Sequence, residues 1–369
     1  MLADGKLYVG TENGKVYILR PSATGVEVLD EDALPDGPLG GPEAIMASPI
    51  VANGRVIITS MDGMYSIGVD SAGSTGSTGS KGSGSLEPVA HVQVFPHEAL
   101  LNPGETKTYS LKLFDAKGNL VREAKGADAT WTLEGGLGGS IAADGTYTAA
   151  PGHSAGFIRA TVVNLGGVSG QARVRVLAPL PYSFDFENPA AEAPPSNWMG
   201  ANGKVFQRTV EGVGAVLMRP RDDTQGRRAK VFFGRPDSTN LTVEADVRGR
   251  EQRRQRGDAG LINQRYILTL FGNAQKLELQ PWQAADEMTV RVPFAWNADT
   301  WYHMKLRVEN LANGSVHVRG KVWPAGETEP AAWTIEKIDT IGHRHGAPGI
   351  YADGISDVYF DNVKVNRNQ

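Results

Sequence analysis

The sequence predicts an all-β protein made of several sandwich-like units. Three observations carry that expectation. Apolar residues alternate with polar ones at period two, and few segments sustain a 3.6-residue period. Forty-five glycines and 21 prolines punctuate the chain with turn signals. At 369 residues the chain is too long for one small domain and suggests two or three. The composition also excludes several classes of function. Cysteine is absent, so neither disulfides nor thiolate metal ligands are available. A net charge of −4 argues against a general nucleic-acid binder. No apolar run has the length of a membrane-spanning helix. The opening MLADGKLYVG has neither a basic nor an apolar region of the signal-peptide kind.

The first element is DGKLYVGTENGKVYIL, residues 4–19, two alternating runs around Asn-Gly and hence a β-hairpin. A second hairpin, NGRVIITSMDGMYSIG, follows at 53–68, and Gly5 and Gly54 stand 49 residues apart. A period near fifty is that of a propeller blade. With the outgoing strand in RPSATGVEVLDED, residues 1–70 resemble the repeats of quinoprotein-type (PQQ-like) β-propellers. Four basic residues face ten acidic ones there. A blade buries its faces against its neighbours, and about three repeats are needed for stability. The expectation is therefore the C-terminal part of a longer propeller protein; the alternatives are blades completed by another protein chain, or hairpins packed on the downstream domains. A cofactor site built from a whole ring of blades cannot be complete in this stretch, so no PQQ is expected.

SAGSTGSTGSKGSGS, residues 71–85, contains 13 Gly, Ser or Thr residues and reads as a flexible linker. A softer boundary lies at LAPLPYSF, 177–184, where prolines interrupt two strand patterns. Between these boundaries, residues 86–178 show short strands separated by turn signals, with LNPGETKTYSLKLFDAKGNLV, ATWTLEGG and AADGTYTA in sequence. That pattern resembles bacterial immunoglobulin-like domains, which implies a β-sandwich spacer with Trp131 between its sheets.

Residues 179–369 carry about ten strand-like segments from PYSFDFEN to GISDVYFDNVKVNRN, which suits a two-sheet jelly roll. The two ends, with DTWYHMKLRVENLANGSVHVRGKVWP, resemble laminin-G and concanavalin-A-like modules. That family includes carbohydrate-binding and adhesion domains and some glycoside hydrolases, so the resemblance implies fold before function. Its hydrolases carry Glu-x-Asp-x-x-Glu. The nearest match here, VEADVRG, keeps Glu244 and Asp246 but has Gly249 at the third position, so a hydrolase on the jelly roll stands only as a further alternative.

Binding is expected instead. Tryptophan offers sugars a large flat apolar face, and Trp282, Trp296, Trp323 and Trp333 fall at strand ends or loops. Trp282 and Trp296 are the candidates expected to be exposed, while Trp323 and Trp333 could pair across their hairpin. A structural Ca²⁺ is expected where the first and last strands meet, from the hard oxygens of Asp185, Glu187, Asp357 and Asp361. The arginine-rich RGREQRRQRGD, 248–258, reads as a solvated loop. The partner implied is a polysaccharide or cell-surface glycan, with no nucleic acid and no membrane span. The resemblances imply a secreted, periplasmic or cell-surface location. A purely structural role, pairing through the propeller edge, is the main rival.

Overall fold

The computed structural model describes residues 1–3, 5–37, 41–52, 55–61, 63–68, 88–116, 120–187, 192–221, 228–282 and 287–368. The linker 71–85 lies outside the described residues. Among those described, the structure is strand and turn, with one 3-10 turn at Gly126–Asp128 and no α-helix. The chain divides into two compact units, Met1–Gly82 and Ser83–Gln369.

The first unit holds two small antiparallel sheets. One has the order Leu2–Ala3, Lys6–Gly10, Lys15–Ser22, Gly25–Ala33; the other joins Ile50–Ala52, Arg55–Thr59 and Met64–Ile67. Both expected hairpins form, with Tyr8 opposite Ile18 and Ile58 opposite Tyr65. Gly14 takes a left-handed φ of 77° in the first turn, the conformation for which Asn-Gly is selected. The shared core is small. Val16, Ile45 and Ile58 are its buried apolar residues, and the Glu43 carboxylate joins them by accepting hydrogen bonds from Ser60 and from Tyr65 Oη, the latter at 2.8 Å.

The second unit contains two sandwiches in succession. In the first, Leu120–Ala124, Ser110–Phe114 and His91–Phe95 form one sheet, and Ala129–Glu134, Ser154–Val162, Ser169–Val176 and Glu98–Leu101 another. Leu111, Leu113, Ile158 and Val174 fill the space between them. Trp131 is half-buried beside Tyr109, and its Nε1 donates to Gly126 O at 2.8 Å.

The second sandwich begins at Tyr182. Its larger sheet runs Phe206–Val210, Gly214–Arg219, Val358–Arg367, Leu241–Gly249, Tyr302–Asn310, Val316–Pro324, Ile335–Asp339, and Tyr182–Phe184 pairs with Val358–Arg367 as well. Its smaller sheet runs Ala229–Phe232, Gly349–Asp353, Asp258–Asn263, Tyr266–Phe271, Lys276–Pro281, Val290–Pro293. Strict alternation explains why these segments fold so. On Leu241–Gly249, Leu241, Val243, Ala245 and Val247 enter the core, while Thr242, Glu244, Asp246 and Arg248 stay at the surface. An aromatic group not singled out in the sequence closes one end: Trp198 is buried with its ring 4.4 Å from Phe233 and 5.0 Å from Phe184.

Candidate functional site

The smaller sheet departs from alternation. Its inward residues, such as Leu261, Leu268 and Leu279, belong to the main core. Yet its other face is buried too. Ile262, Ile267 and Tyr351 form a second apolar cluster there with Phe232 and Trp282. On this outer face Ile262, Ile267 and Tyr351 are covered, while Lys230 and Trp282 at its margin are half-buried and Arg291 is exposed, which makes the face a shallow recess.

Cross-strand register builds the floor of this recess. Lys230 faces Tyr351, Tyr351 faces Gly260, Gly260 faces Thr269, Thr269 faces Glu278, and Glu278 faces Arg291. One polar row thus crosses all six strands. Gly260 interrupts it without a side chain. A Cβ there would lie 2.6 Å from Leu268 O, so the sheet itself requires glycine. Glu278 is buried and holds Lys276 Nζ and Arg291 Nε, each at 2.7 Å. Thr269 is 1% exposed, and its hydroxyl has no partner among the described residues. A buried hydroxyl left so costs on the order of 1–3 kcal/mol.

At the rim of the recess, Lys230 Nζ lies 3.9 Å from the Trp282 ring centroid, and Phe232 stands 6.0 Å from it. Burial, then the neighbouring Arg228, lowers the Lys230 pKa. Tyr351 Oη donates to Asp353 Oδ2 at 3.1 Å, and Arg228 Nε to the same oxygen at 2.8 Å. Burial and the Asp353 charge raise the Tyr351 phenol pKa, so it is a neutral donor and no base at neutral pH. The row offers fixed donors and an aromatic plane, which is binding chemistry.

No protein-family model matches the sequence, and no curated protein matches it. Solved structures similar to the chain include the carbohydrate recognition domain of Emp47p, at TM-score 0.33 and 11% identity, over 51% of this chain and 96% of that one. Lectin II from Ulex europaeus aligns at TM-score 0.35 and 10% identity, over 52% and 99%. An endo-β-1,4-glucuronan lyase from the fungus Trichoderma reesei aligns at TM-score 0.33 and 12% identity, over 51% and 95%. These likenesses assign neither ligand nor reaction to this chain.

Of the four tryptophans expected at a binding surface, Trp282 is half-buried at the recess, and Trp333 is half-buried on the opposite side of the sandwich. Trp296, expected to be exposed, is 1% exposed and belongs to the core. Its Nε1 donates to Phe271 O at 3.1 Å and its ring meets Tyr302 edge-on at 6.0 Å. The AWNAD turn that looked like a loop tip folds inward because Gly249 leaves room: a Cβ on Gly249 would sit 2.6 Å from the Trp296 ring.

Trp323, expected near the surface, is 8% exposed beneath charged side chains of the larger sheet. It does not pair with Trp333 by ring contact. Lys321 Nζ lies between them, 5.9 Å from the Trp323 ring and 4.6 Å from that of Trp333. Trp323 instead opens a second row, across the outer face of the larger sheet, in which it faces His303, His303 faces Asp246, and Asp246 faces Asp361. Glu244 and Asp246 are committed here. His303 Nδ1 is 2.6 Å from Asp246 Oδ1, and Lys305 Nζ is 3.1 Å from Glu244 Oε1. Burial opposes protonation of His303, but the bonds to Asp246 and Glu244 outweigh it and raise the imidazole from 6.5 to about 9. A histidine protonated at neutral pH is no general base, and the carboxylates beside it are held in ion pairs.

The four acids expected to converge on Ca²⁺ are divided. Four residues along a strand span about 13 Å, so Asp357 is out of reach of Asp361. Asp357 accepts from Arg221 N at 2.6 Å and lies 4.0 Å from Arg250 Nη1. Asp185 and Glu187 remain close enough to Asp361 to act on its charge. Among the described residues no group of three or more His, Asp or Glu side chains is placed to hold a metal ion.

Asp361 carries a consequence for stability. Burial, then the charges of Asp246, Glu187 and Asp185, raise its pKa from 3.8 to about 6. An acid raised in the folded state destabilises the fold above its folded pKa, and that cost vanishes as pH falls below the unfolded value. Asp361→Asn, which can still accept the bond from Asn362 N, should therefore stabilise the protein by about 1–2 kcal/mol at pH 8, allowing for solvent screening, and by almost nothing at pH 4. Chemical denaturation at the two pH values measures this. An equal effect at both would refute the charge-repulsion account.

The arginine-rich loop is structural in part. Glu251–Gln252 and Gln255–Arg256 pair as a short ribbon, and Arg256 bonds Glu251 Oε2 at 2.8 Å and Trp296 O at 2.6 Å.

Proposed function

We propose that the C-terminal sandwich is a concanavalin-A-like, laminin-G-like module that binds carbohydrate in the recess of its smaller sheet. The observation that carries this reading is the polar row Lys230–Tyr351–Gly260–Thr269–Glu278–Arg291, buried in its middle and reachable at its Lys230 and Arg291 ends, beside Trp282. Sugars need this combination: a ring platform for their C–H faces and fixed hydrogen-bond partners for their hydroxyls. The sandwich before it acts as an immunoglobulin-like spacer. The reading places the protein in a secreted, periplasmic or cell-surface setting, where glycans are met.

Retention on a panel of immobilised neutral polysaccharides tests this. The protein should be retained on one glycan class, and Trp282→Ala should abolish retention, a loss of at least about tenfold in affinity. Trp282 is half-buried at a strand end, so circular dichroism should show the variant folded. Retention unchanged in Trp282→Ala, or none for the parent protein on any glycan, would sink the reading.

A second reading concerns the first unit, and its support is exposed apolar surface. Leu2, Val26, Val28, Ile50 and Met64 are each more than half exposed around a core of three residues. We infer that these strands are PQQ-like propeller repeats whose apolar surface is covered by further blades.

A further inference from the structure

The larger sheet carries a separate pocket that the glycan reading does not use. Two adjacent cross-strand rows form its floor. In one, Lys321 faces Lys305, Lys305 faces Glu244, and Glu244 faces Lys364; in the next, Arg319 faces Arg307, Arg307 faces Thr242, and Thr242 faces Asn366. Above this floor lies a pocket of ≈ 530 Å³ whose lining includes Lys305, Arg307, Arg367, Glu244, Glu329 and Trp333. Leu180 and Pro181, from the segment joining the two sandwiches, wall it on one side. The volume suits one or two sugar rings.

The charges in the pocket decide its ligand. Its two carboxylates are already answered. Both Glu329 oxygens bind Lys305 Nζ at 2.8 Å, and Lys321 Nζ lies 2.6 Å from Glu329 Oε1. Glu244 is held by Lys305 and by His303 Nε2 at 3.5 Å. These bonds lower the carboxyl pKa of both acids against the effect of burial, so they stay ionised and paired. The cations outnumber them. The Arg367 side chain is exposed at the rim and makes no hydrogen bond or ion pair among the described residues, though its charge acts on the Tyr182 phenol. Lys364, on the same strand, is exposed as well. An arginine fork takes a carboxylate in two parallel hydrogen bonds. Trp333 supplies a ring beside it, with Lys321 Nζ 4.6 Å and Arg319 Cζ 5.2 Å from its centroid.

We propose that this pocket binds a carboxylate-bearing sugar, a uronic acid residue, with Arg367 receiving the carboxylate, Arg307 (3.7 Å from Glu309 Oε2) adding positive charge to the floor, and Trp333 carrying the ring. The site is distinct from the recess on the smaller sheet. Its occupant also touches the connector between the sandwiches, so binding would restrain that joint.

Calorimetric titration of the full chain tests the proposal, with trigalacturonate and trimannuronate against a neutral glucose trisaccharide. At least one uronate should bind, its affinity should fall several-fold between low and physiological salt, and the neutral sugar should not displace it. Arg367→Ala should weaken uronate binding by about tenfold, and Arg367→Lys by less. Arg367 is exposed, so neither change should disturb folding. Trp282→Ala should leave uronate binding intact. The proposal is overturned if no uronate binds, if Arg367→Ala binds as tightly as the parent, or if the neutral trisaccharide competes equally. Uronate binding lost in Trp282→Ala and kept in Arg367→Ala would overturn it too, while leaving the recess as a glycan site.

Discussion

Trp296→Ala should destabilise the C-terminal sandwich by about 3–5 kcal/mol and lower its melting temperature by roughly 10 °C. Trp296 is the largest fully buried side chain of the protein among the described residues. Its removal empties a volume bounded by Tyr302 and the strand ending in Gly249. That volume cannot collapse easily, because Gly249 has no side chain to move into it. Phe271 O also loses the indole donor. Differential scanning calorimetry measures the effect, with Trp282→Ala as the half-buried comparison expected to cost far less. A melting temperature for Trp296→Ala within about 2 °C of the parent would show that the ring is not packed as described.

Arg219→Met should cost a comparable amount, about 3–5 kcal/mol. Arg219 is 0% exposed. Its guanidinium donates to Ser356 O at 2.9 Å and to Gly354 O. Those carbonyls lie in the crossover between Gly349–Asp353 of the smaller sheet and Val358–Arg367 of the larger one, so the guanidinium pins one sheet to the other. Methionine would fill the space while leaving both carbonyls without that donor. Its charge also steadies Asp258, whose carboxyl is raised by burial and by Asp353 and lowered by Arg219. Hydrogen exchange is the informative readout. Amides of the crossover should lose protection first, before those of the Trp198 cluster. Uniform loss across the sandwich, or no loss, would count against the pinning role.

Much of the fold was legible because alternation was clean. Leu241–Gly249, Tyr302–Asn310 and Val316–Pro324 all read as strands with one apolar face, and each took that form. Asp258–Asn263, Gly349–Asp353 and Ile335–Asp339 are not among the strand-like segments of the sequence. The first two lie in the smaller sheet with both faces buried, so DAGLIN and GIYAD carry no polar alternation to read. The candidate site was hidden for the same reason. Its row takes one residue from each of six strands spread over residues 229–353, and only register brings Lys230, Thr269 and Arg291 together. Trp282 was legible as an aromatic residue at a strand end. Trp296 misled because its neighbours resemble a loop, while the cause of its burial, Gly249, lies in another strand. Asp357 misled through proximity in sequence, since a strand carries residues apart as fast as it lists them.

The position of Val358–Arg367 has a consequence for biogenesis. This strand fills the middle of the larger sheet, pairing with Leu241–Gly249, Gly214–Arg219 and Tyr182–Phe184. During vectorial synthesis, everything from Tyr182 onward leaves the ribosome before the strand that joins its halves. Until then the sandwich has two open edges and an uncovered apolar interior, a state prone to aggregation. Folding of this module therefore waits for residues 358–367 and is slow by its topology. Loss of residues 358–367 would undo the module, because it would remove the strand to which three others pair.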